Sequence, residues 1–247
     1  MNANITQGFE YTKHRFLGDT ITLTLTDGTA VVAKEYRFGL PNGLHLTYGE
    51  INILAGDFYG TKNPISDGAS LQDQSRRFND AYATLANPGP RQPQEARAIL
   101  SVLQKEVDAV NKALQDHDDP STVYRKLPDE TTTLENITCG RSGIPGYLGL
   151  AQINWDHFGA DARIAYIAGH WTALQLAITG ELDKAYAMNA FADHFLEDSF
   201  SAGHLRTPRR LLHSNLNPAA DLCAKVCSAQ SIGKLFGASA EDSLVHA

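Results

Sequence analysis

Two helical segments separated by a single glycine place the strongest constraint on how this chain can fold. Apolar residues recur at helical spacing over residues 154–179, Gly180 interrupts the pattern, and a second helical pattern covers residues 181–203. Because the connection is so short, the two helices are expected to pack side by side as an antiparallel pair. The start of the first helix then lies level with the end of the second.

The end of the second helix carries a His-x3-Asp-x5-His pattern. His194 and Asp198 are four residues apart, so they lie on one helix face a turn apart. Gly203 is predicted to cap the helix, with His204 just beyond it, and His157 approaches the same end through the hairpin. Buried imidazole and carboxylate groups need partners, and this nitrogen and oxygen ligand set suits zinc. A helix with partly buried histidines and no metal is the alternative.

Asp57 is a further candidate ligand, because it stands among apolar residues at the end of a short predicted helix. Thr47 and Glu50 have the spacing of a capping box, and the helix that they begin ends near Gly56. A carboxylate in such surroundings costs free energy unless it is paired or metal-bound. An ordinary turn aspartate is the alternative.

The remaining patterns predict a single, mainly α domain that spans residues 1–247. Residues 20–26 and 29–38 alternate around an Asp27–Gly28 turn and predict a β-hairpin. We expect an N-terminal β-hairpin appendage (1–43), a helical core (44–235) and a loose tail (236–247). Within the core, helices are predicted over residues 75–85, 93–117 and 216–235. Residues 121–150 lack clear periodicity, which predicts a long loop bordering a cleft.

Charge and composition exclude several classes of protein. The net charge of −7 argues against non-specific nucleic-acid binding through a basic surface, so no stable nucleic-acid binding is expected. No run of 18 apolar residues predicts a membrane-spanning helix, and residues 1–13 lack the apolar segment of a signal peptide. A cytoplasmic protein is therefore the default expectation. Three cysteines are too few, and odd in number, for a disulfide framework.

The metal-ligand pattern resembles the zinc-binding core of the phospholipase C/P1 nuclease superfamily. The resemblance is carried by His194-Phe-Leu-Glu-Asp198, by His204 after five further residues, and by Asp156-His157-Phe upstream. It covers residues 44–57 and 154–213. Residues 54–60 and 202–209 are more similar to the phospholipase C-like branch than to the nuclease branch.

This resemblance implies an all-α core that holds one to three zinc ions. It assigns a first zinc to Asp57, His157, His194 and Asp198, with Asp198 bridging to a further ion. A second zinc would be held by His204 and His213, with Asn217 or Asp221 as the last ligand. The third zinc of the family uses an N-terminal Trp and a nearby His, for which this chain offers His14 or His45 and no Trp before Trp155.

The activity implied by the resemblance is that of a zinc-dependent, phospholipase C-like phosphodiester hydrolase. The substrate would be a small-molecule or lipid phosphodiester, with peripheral membrane contact, and Asp57 would act as a zinc ligand or as the base that orients water. Arg206, Arg209 and Arg210 are expected to hold the phosphate, because the guanidinium fork matches phosphate oxygens. The alternatives are an S1/P1-type single-strand nuclease and a catalytically degenerate zinc-binding member of the family.

Overall fold

The computed structural model describes residues 11–89 and 91–216 as a mainly helical fold with two short β-ladders. Its helices are α1 (Tyr11–Thr20), α2 (Tyr48–Leu54), α3 (Leu71–Ala86), α4 (Gln92–Gln115), α5 (Pro120–Tyr124), α6 (Thr131–Thr138), α7 (Tyr147–Gln152), α8 (Gly159–Ile178), α9 (Leu182–Asp198), α10 (Ala202–Leu205) and α11 (Arg209–Leu216). Short 3-10 turns cover Ala33–Glu35, Ile65–Asp67 and Trp155–His157. The mainly α prediction is confirmed at this level of description. The predicted helix over residues 216–235 falls almost wholly, and the tail (236–247) wholly, outside the described residues.

The predicted β-hairpin is present but shorter than expected. Strands β1 (Thr22–Thr24) and β2 (Ala30–Val32) pair in antiparallel register around Gly28, whose φ of +83° suits the turn. The second strand does not continue to residue 38, because Ala33–Glu35 forms a 3-10 turn. Instead β3 (Phe38–Gly39) pairs with β4 (His45–Leu46). Residues of the hairpin region, among them Leu23 and Phe38, belong to the same apolar core as the helices.

Helix α2 is central to the fold, and all seven of its residues are buried. The predicted capping box is confirmed, since the Thr47 side chain accepts from the Glu50 amide and Glu50 accepts from the Thr47 amide. Helix α2 packs against α1 and α9, and α3 packs against α8. The last turn of α2 lies against the last turn of α9, where the Asn52 carbonyl oxygen is 3.0 Å from Nδ1 of His194.

The predicted α8–α9 hairpin is confirmed, with Gly180 at a φ of +86° between the two helices. The helices approach closely because small residues face each other. A Cβ on Gly169 would lie 2.6 Å from the Cβ of Ala192. The prediction that Gly203 caps the second helix is wrong. Helix α9 ends at Asp198, the extended backbone of Ser201 interrupts it, and Gly203 lies inside α10.

The prediction of a long loop over residues 121–150 is also wrong, since the segment holds most of α5 together with α6 and the start of α7. Asp119 caps α5 with Pro120 in its first turn, and α6 buries only Leu134 and Thr138. Helices of five to eight residues bury too few positions to show a recognisable period.

No helix in the described ranges has the length and apolar character needed to cross a membrane.

Candidate metal centre

The candidate centre forms where α1, the turn after α2, the Trp155–His157 turn and the last turn of α9 meet. Nδ1 of His157 lies 2.6 Å from Oδ2 of Asp198, and Nε2 of His194 lies 3.1 Å from the same His157 nitrogen. Asp57 places Oδ1 4.0 Å from Nε2 of His157 and Oδ2 3.9 Å from Nε2 of His194. The structure thus brings together the four residues to which the first zinc was assigned.

Gly56 allows Asp57 to reach this position. Its φ is +65°, and an added Cβ would lie only 2.6 Å from Cε1 of His157. Glycine is therefore required here both for the backbone conformation and for the close approach of the imidazole ring. The Asp57 side chain remains 23% exposed, whereas those of His157, His194 and Asp198 are at most 5% exposed.

Asp156 fixes the turn that presents His157. Its carboxylate accepts hydrogen bonds from the backbone amides of Ile65 at 2.6 Å and Ser66 at 3.0 Å, and from the Ser66 hydroxyl at 2.5 Å. These bonds tie the Trp155–His157 turn to the Ile65–Asp67 turn. The first residue of the Asp156-His157-Phe motif therefore has a structural role.

The protonation of His194 is set by the backbone of α2. Nδ1 lies 3.0 Å from the Asn52 carbonyl oxygen, which can only accept, so Nδ1 carries the proton. Nε2 then presents a lone pair towards Asp57 and His157. Burial holds the pKa of His194 well below its ordinary value of 6.5, and His14 lowers it further. His194 is therefore neutral at pH 7, as a metal ligand must be.

The other charges in the centre are coupled. Burial alone would raise the pKa of Asp198, but His194 and His157 outweigh it, and the pKa lies well below 3.8. Burial alone would lower the pKa of His157, but Asp198 and Asp57 outweigh it, and the pKa lies above 6.5. Burial raises the pKa of Asp57. Without a metal, the proton on His157 is therefore stabilised by Asp198.

His14 lies in the centre although no spacing in the sequence connects it with α9. Nδ1 is 2.7 Å from Oε2 of Glu197, Nε2 is 3.4 Å from Oδ1 of Asp198, and its ring stacks on His194 at 4.2 Å. The sequence offered His14 only as an alternative to His45, and His45 is exposed beside Gly39. Glu197 was not predicted, yet its position three residues after His194 was a usable signal.

Two overlapping groups of three side chains can each hold a metal ion within the described part of the chain. One comprises Asp57, His157 and His194, and the other comprises His14, His194 and Asp198; in each, the ligand atoms lie within 4.8 Å of one another. Ligand atoms on one tetrahedral zinc are roughly 3.3–3.6 Å apart, given bond lengths of about 2.0–2.2 Å. The Asp57 oxygens lie 4.0 Å and 3.9 Å from Nε2 of His157 and of His194, slightly beyond that range.

Asp198 belongs to the second of these two groups and not to the group that contains Asp57. Its Oδ2 lies 2.6 Å from Nδ1 of His157, which is a hydrogen-bond distance. A carboxylate bonded to the second nitrogen of a ligating histidine fixes the ring orientation and raises its basicity. Asp198 is therefore placed to orient His157 towards the first group.

The predicted second site is not assembled among residues 11–89 and 91–216. Nδ1 of His204 lies 2.9 Å from the Ser201 hydroxyl, and its ring packs on Phe158 at 4.5 Å. The ring of His213 lies 5.3 Å from that of Trp155. Neither histidine belongs to a group that can hold a metal in this part of the chain. Asn217 and Asp221, the predicted last ligands, lie outside the described residues.

The three predicted phosphate-binding arginines differ in their surroundings. Arg209 donates to the side-chain oxygen of Asn154 at 3.1 Å, and burial lowers its pKa. Arg210 pairs with Asp161 at 2.6 Å and also with Asp67. Arg206 is exposed and makes no hydrogen bond or ion pair with another described residue. Arg206 is therefore the one of the three whose guanidinium is not engaged by the described part of the fold.

No protein family, curated protein or solved structure gives a significant match to this chain. The resemblance to the phospholipase C/P1 nuclease superfamily therefore stays a prediction from the motifs.

Proposed function

We propose that the chain is a zinc-dependent phosphodiester hydrolase of phospholipase C type. The observation that carries this proposal is the group formed by Asp57, His157 and His194, in which the two imidazoles are buried and the carboxylate reaches solvent. Two histidines and one carboxylate are a ligand set that suits zinc. When bound, zinc would supply a water of lowered pKa and polarise a phosphoryl oxygen.

The residues of the chain would divide the remaining work. His157 and His194 would hold the ion, and Asp198 would orient His157 through their hydrogen bond. Asp57 would complete the group on the side from which substrate approaches, because it is the most exposed member. Arg206, whose guanidinium is not engaged by the described residues, would contribute its fork to the phosphate.

The surface near this end of α9 favours a lipid substrate over a nucleic acid. Phe200 is 78% exposed, Leu205 is 50% exposed and Leu211 is 57% exposed, and all three lie close in sequence to His204 and Arg206. Exposed apolar side chains close in sequence to a cationic side chain suit contact with a lipid interface. The net charge of −7 opposes binding of a polyanionic strand.

The first test is the zinc content of freshly purified protein, measured by elemental analysis. We expect at least one zinc per chain and hydrolysis of short-chain phosphatidylcholine in excess of single-stranded DNA. The matched variants are Asp57→Asn, which removes a ligand charge at nearly constant volume, and His170→Gln, which changes a histidine outside the centre. Protein purified without chelator that contains no zinc would contradict the proposal.

A catalytically inactive zinc protein is the second candidate. It is favoured by the sequence, because the residue four positions after His213 is Asn217, a neutral amide where the resemblance implies a carboxylate. Zinc in the protein without turnover of either phosphodiester would support this candidate over the hydrolase.

Zinc binding should release a proton and strengthen as the pH rises from 6 to 8. The pKa of His157 lies above 6.5 in the metal-free protein, because Asp198 and Asp57 outweigh the effect of burial. Below that raised pKa, zinc must displace the proton, so affinity should increase up to about tenfold per pH unit and level off above it. Titration calorimetry in buffers of different ionisation enthalpy measures the release. Affinity independent of pH over this range would contradict the prediction.

A further inference from the structure

A cleft of about 640 Å³ lies between α1, β4, the first turn of α2 and the middle of α4. Its lining includes Arg15, Arg37, Arg97 and Lys105, with Glu50 and Asp108 as the acidic members. No residue of the candidate metal centre lines it. The volume falls within the roughly 300–1,000 Å³ that is usual for small-molecule sites.

The cleft lining carries four cationic and two acidic side chains, and two further carboxylates pair with these cations from outside the lining. Glu50 is already engaged, because Oε1 accepts from Arg15 at 3.2 Å while Oε2 accepts from Arg37 at 2.9 Å and from the Thr47 amide at 3.0 Å. Arg15 also pairs with Asp19 at 3.3 Å, and Lys105 pairs with Glu130 at 3.3 Å. Among the described residues, Arg97 is therefore the cation of this lining without a carboxylate partner, and Arg37 shares Glu50 with Arg15.

Two guanidinium groups keep donors available for a ligand. Arg97 is exposed and makes no hydrogen bond or ion pair with any other residue in the described ranges. The Arg37 side chain is 54% exposed and uses only Nη1, which donates to the His45 carbonyl at 3.0 Å and to Glu50. Planar forks of this kind match the oxygens of a phosphate group.

Three leucines form the apolar part of the lining. Leu44 and Leu46 are only 1% and 3% exposed, so the half-buried Leu100 is the leucine with surface open to a ligand. The residues that carry the charge and those that form the apolar lining are thus separate. A ligand that satisfies both would have an anionic head and an apolar portion.

We propose that this cleft binds a phosphate ester with an apolar group, at a site separate from the metal centre. Arg37 and Arg97 would hold the phosphate, and the half-buried Leu100 would contact the apolar group. The inference does not depend on the proposed hydrolase activity. The same chemistry is offered by a soluble phosphate monoester and by the headgroup region of an anionic lipid.

Titration calorimetry of the full chain with hexyl phosphate tests the proposal. We expect saturable binding that weakens at least tenfold in the Arg37→Gln/Arg97→Gln double variant. The control double variant, Arg76→Gln/Arg125→Gln, removes the same charge from exposed arginines outside the cleft and should stay within twofold of wild type. Asp57→Asn should also bind within twofold, which separates this site from the metal centre.

Further probes identify the source of the phosphate and the contribution of the apolar lining to the binding affinity. Inorganic phosphate should bind at least fivefold more weakly than hexyl phosphate, and equal affinity would refute a role for the apolar lining. Co-sedimentation with phosphatidylcholine vesicles containing phosphatidic acid, lost in the double variant, would identify a lipid headgroup, whereas binding of hexyl phosphate alone would identify a soluble ester. The proposal is overturned if wild type does not bind hexyl phosphate, or if the double variant binds it equally well.

Discussion

Replacement of His194 by alanine is expected to remove zinc from the protein and to lower its free energy of unfolding by about 2–5 kcal/mol. The side chain is fully buried, stacks on His14 at 4.2 Å and meets the ring of His157 edge-on at 4.8 Å. Alanine would leave a cavity between these rings. It would also remove the one residue that is common to both groups able to hold a metal.

The stability effect and the metal effect can be separated by matched variants. Urea unfolding of chelator-treated protein should show the loss for His194→Ala but little change for Asp57→Asn, which is half-buried and nearly isosteric. Both variants should bind zinc at least 100-fold more weakly. His170→Ala is the control, because His170 lies in the same helix pair and bonds to Asn189 rather than to the centre. Unchanged zinc content and unchanged stability in His194→Ala would contradict the prediction.

The parts of this fold that could be predicted from the sequence are those set by local spacing. The α8–α9 hairpin follows from two long periodic segments around Gly180, and the capping box of α2 follows from Thr47 and Glu50. The approach of His157 to His194 then follows from the geometry of the hairpin. Each of these inferences needs only residues that are close in sequence or joined by a short turn.

The contribution of His14 could not be predicted in the same way. It is 183 positions from Glu197, and only the packing of α1 on α2 and α9 brings the two together.

The predicted end of α9 is wrong for a different reason. Glycine is a residue type that often caps helices, but the backbone is already extended at Ser201, and Gly203 lies within α10.

A second non-local contact supports the turn that carries Asp57. The Glu95 carboxylate on α4 accepts from Arg141 at 2.6 Å and from the Tyr59 hydroxyl at 3.0 Å. Arg141 also donates to the Phe58 carbonyl at 2.5 Å and lies over the Tyr59 ring at 4.9 Å. The Glu95 and Arg141 side chains are only 5% and 4% exposed. This buried ion pair therefore holds the residue that follows Asp57.

Replacement of Arg141 by methionine is accordingly expected to lower the free energy of unfolding by about 3–5 kcal/mol, because Glu95 would be left buried without its main cationic partner. Arg91 lies 3.7 Å from the other Glu95 oxygen and is 44% exposed, so it compensates weakly. Zinc binding should weaken as well, since the turn at Phe58 would lose its anchor. The change is measured by urea unfolding at constant zinc.

Two further variants determine whether the effect comes from an unpaired charge or from lost packing. The double variant Arg141→Met/Glu95→Leu replaces both members by apolar groups, so it should recover most of the stability lost in the single variant. Arg76→Met breaks an exposed pair with Asp73 and should change the free energy of unfolding far less than Arg141→Met does. If the double variant is as unstable as Arg141→Met, the buried charge is not the cause, and the bond from Arg141 to the Phe58 carbonyl becomes the main contribution. Zinc affinity would then stay low in the double variant, because the turn next to Asp57 would still lack that bond.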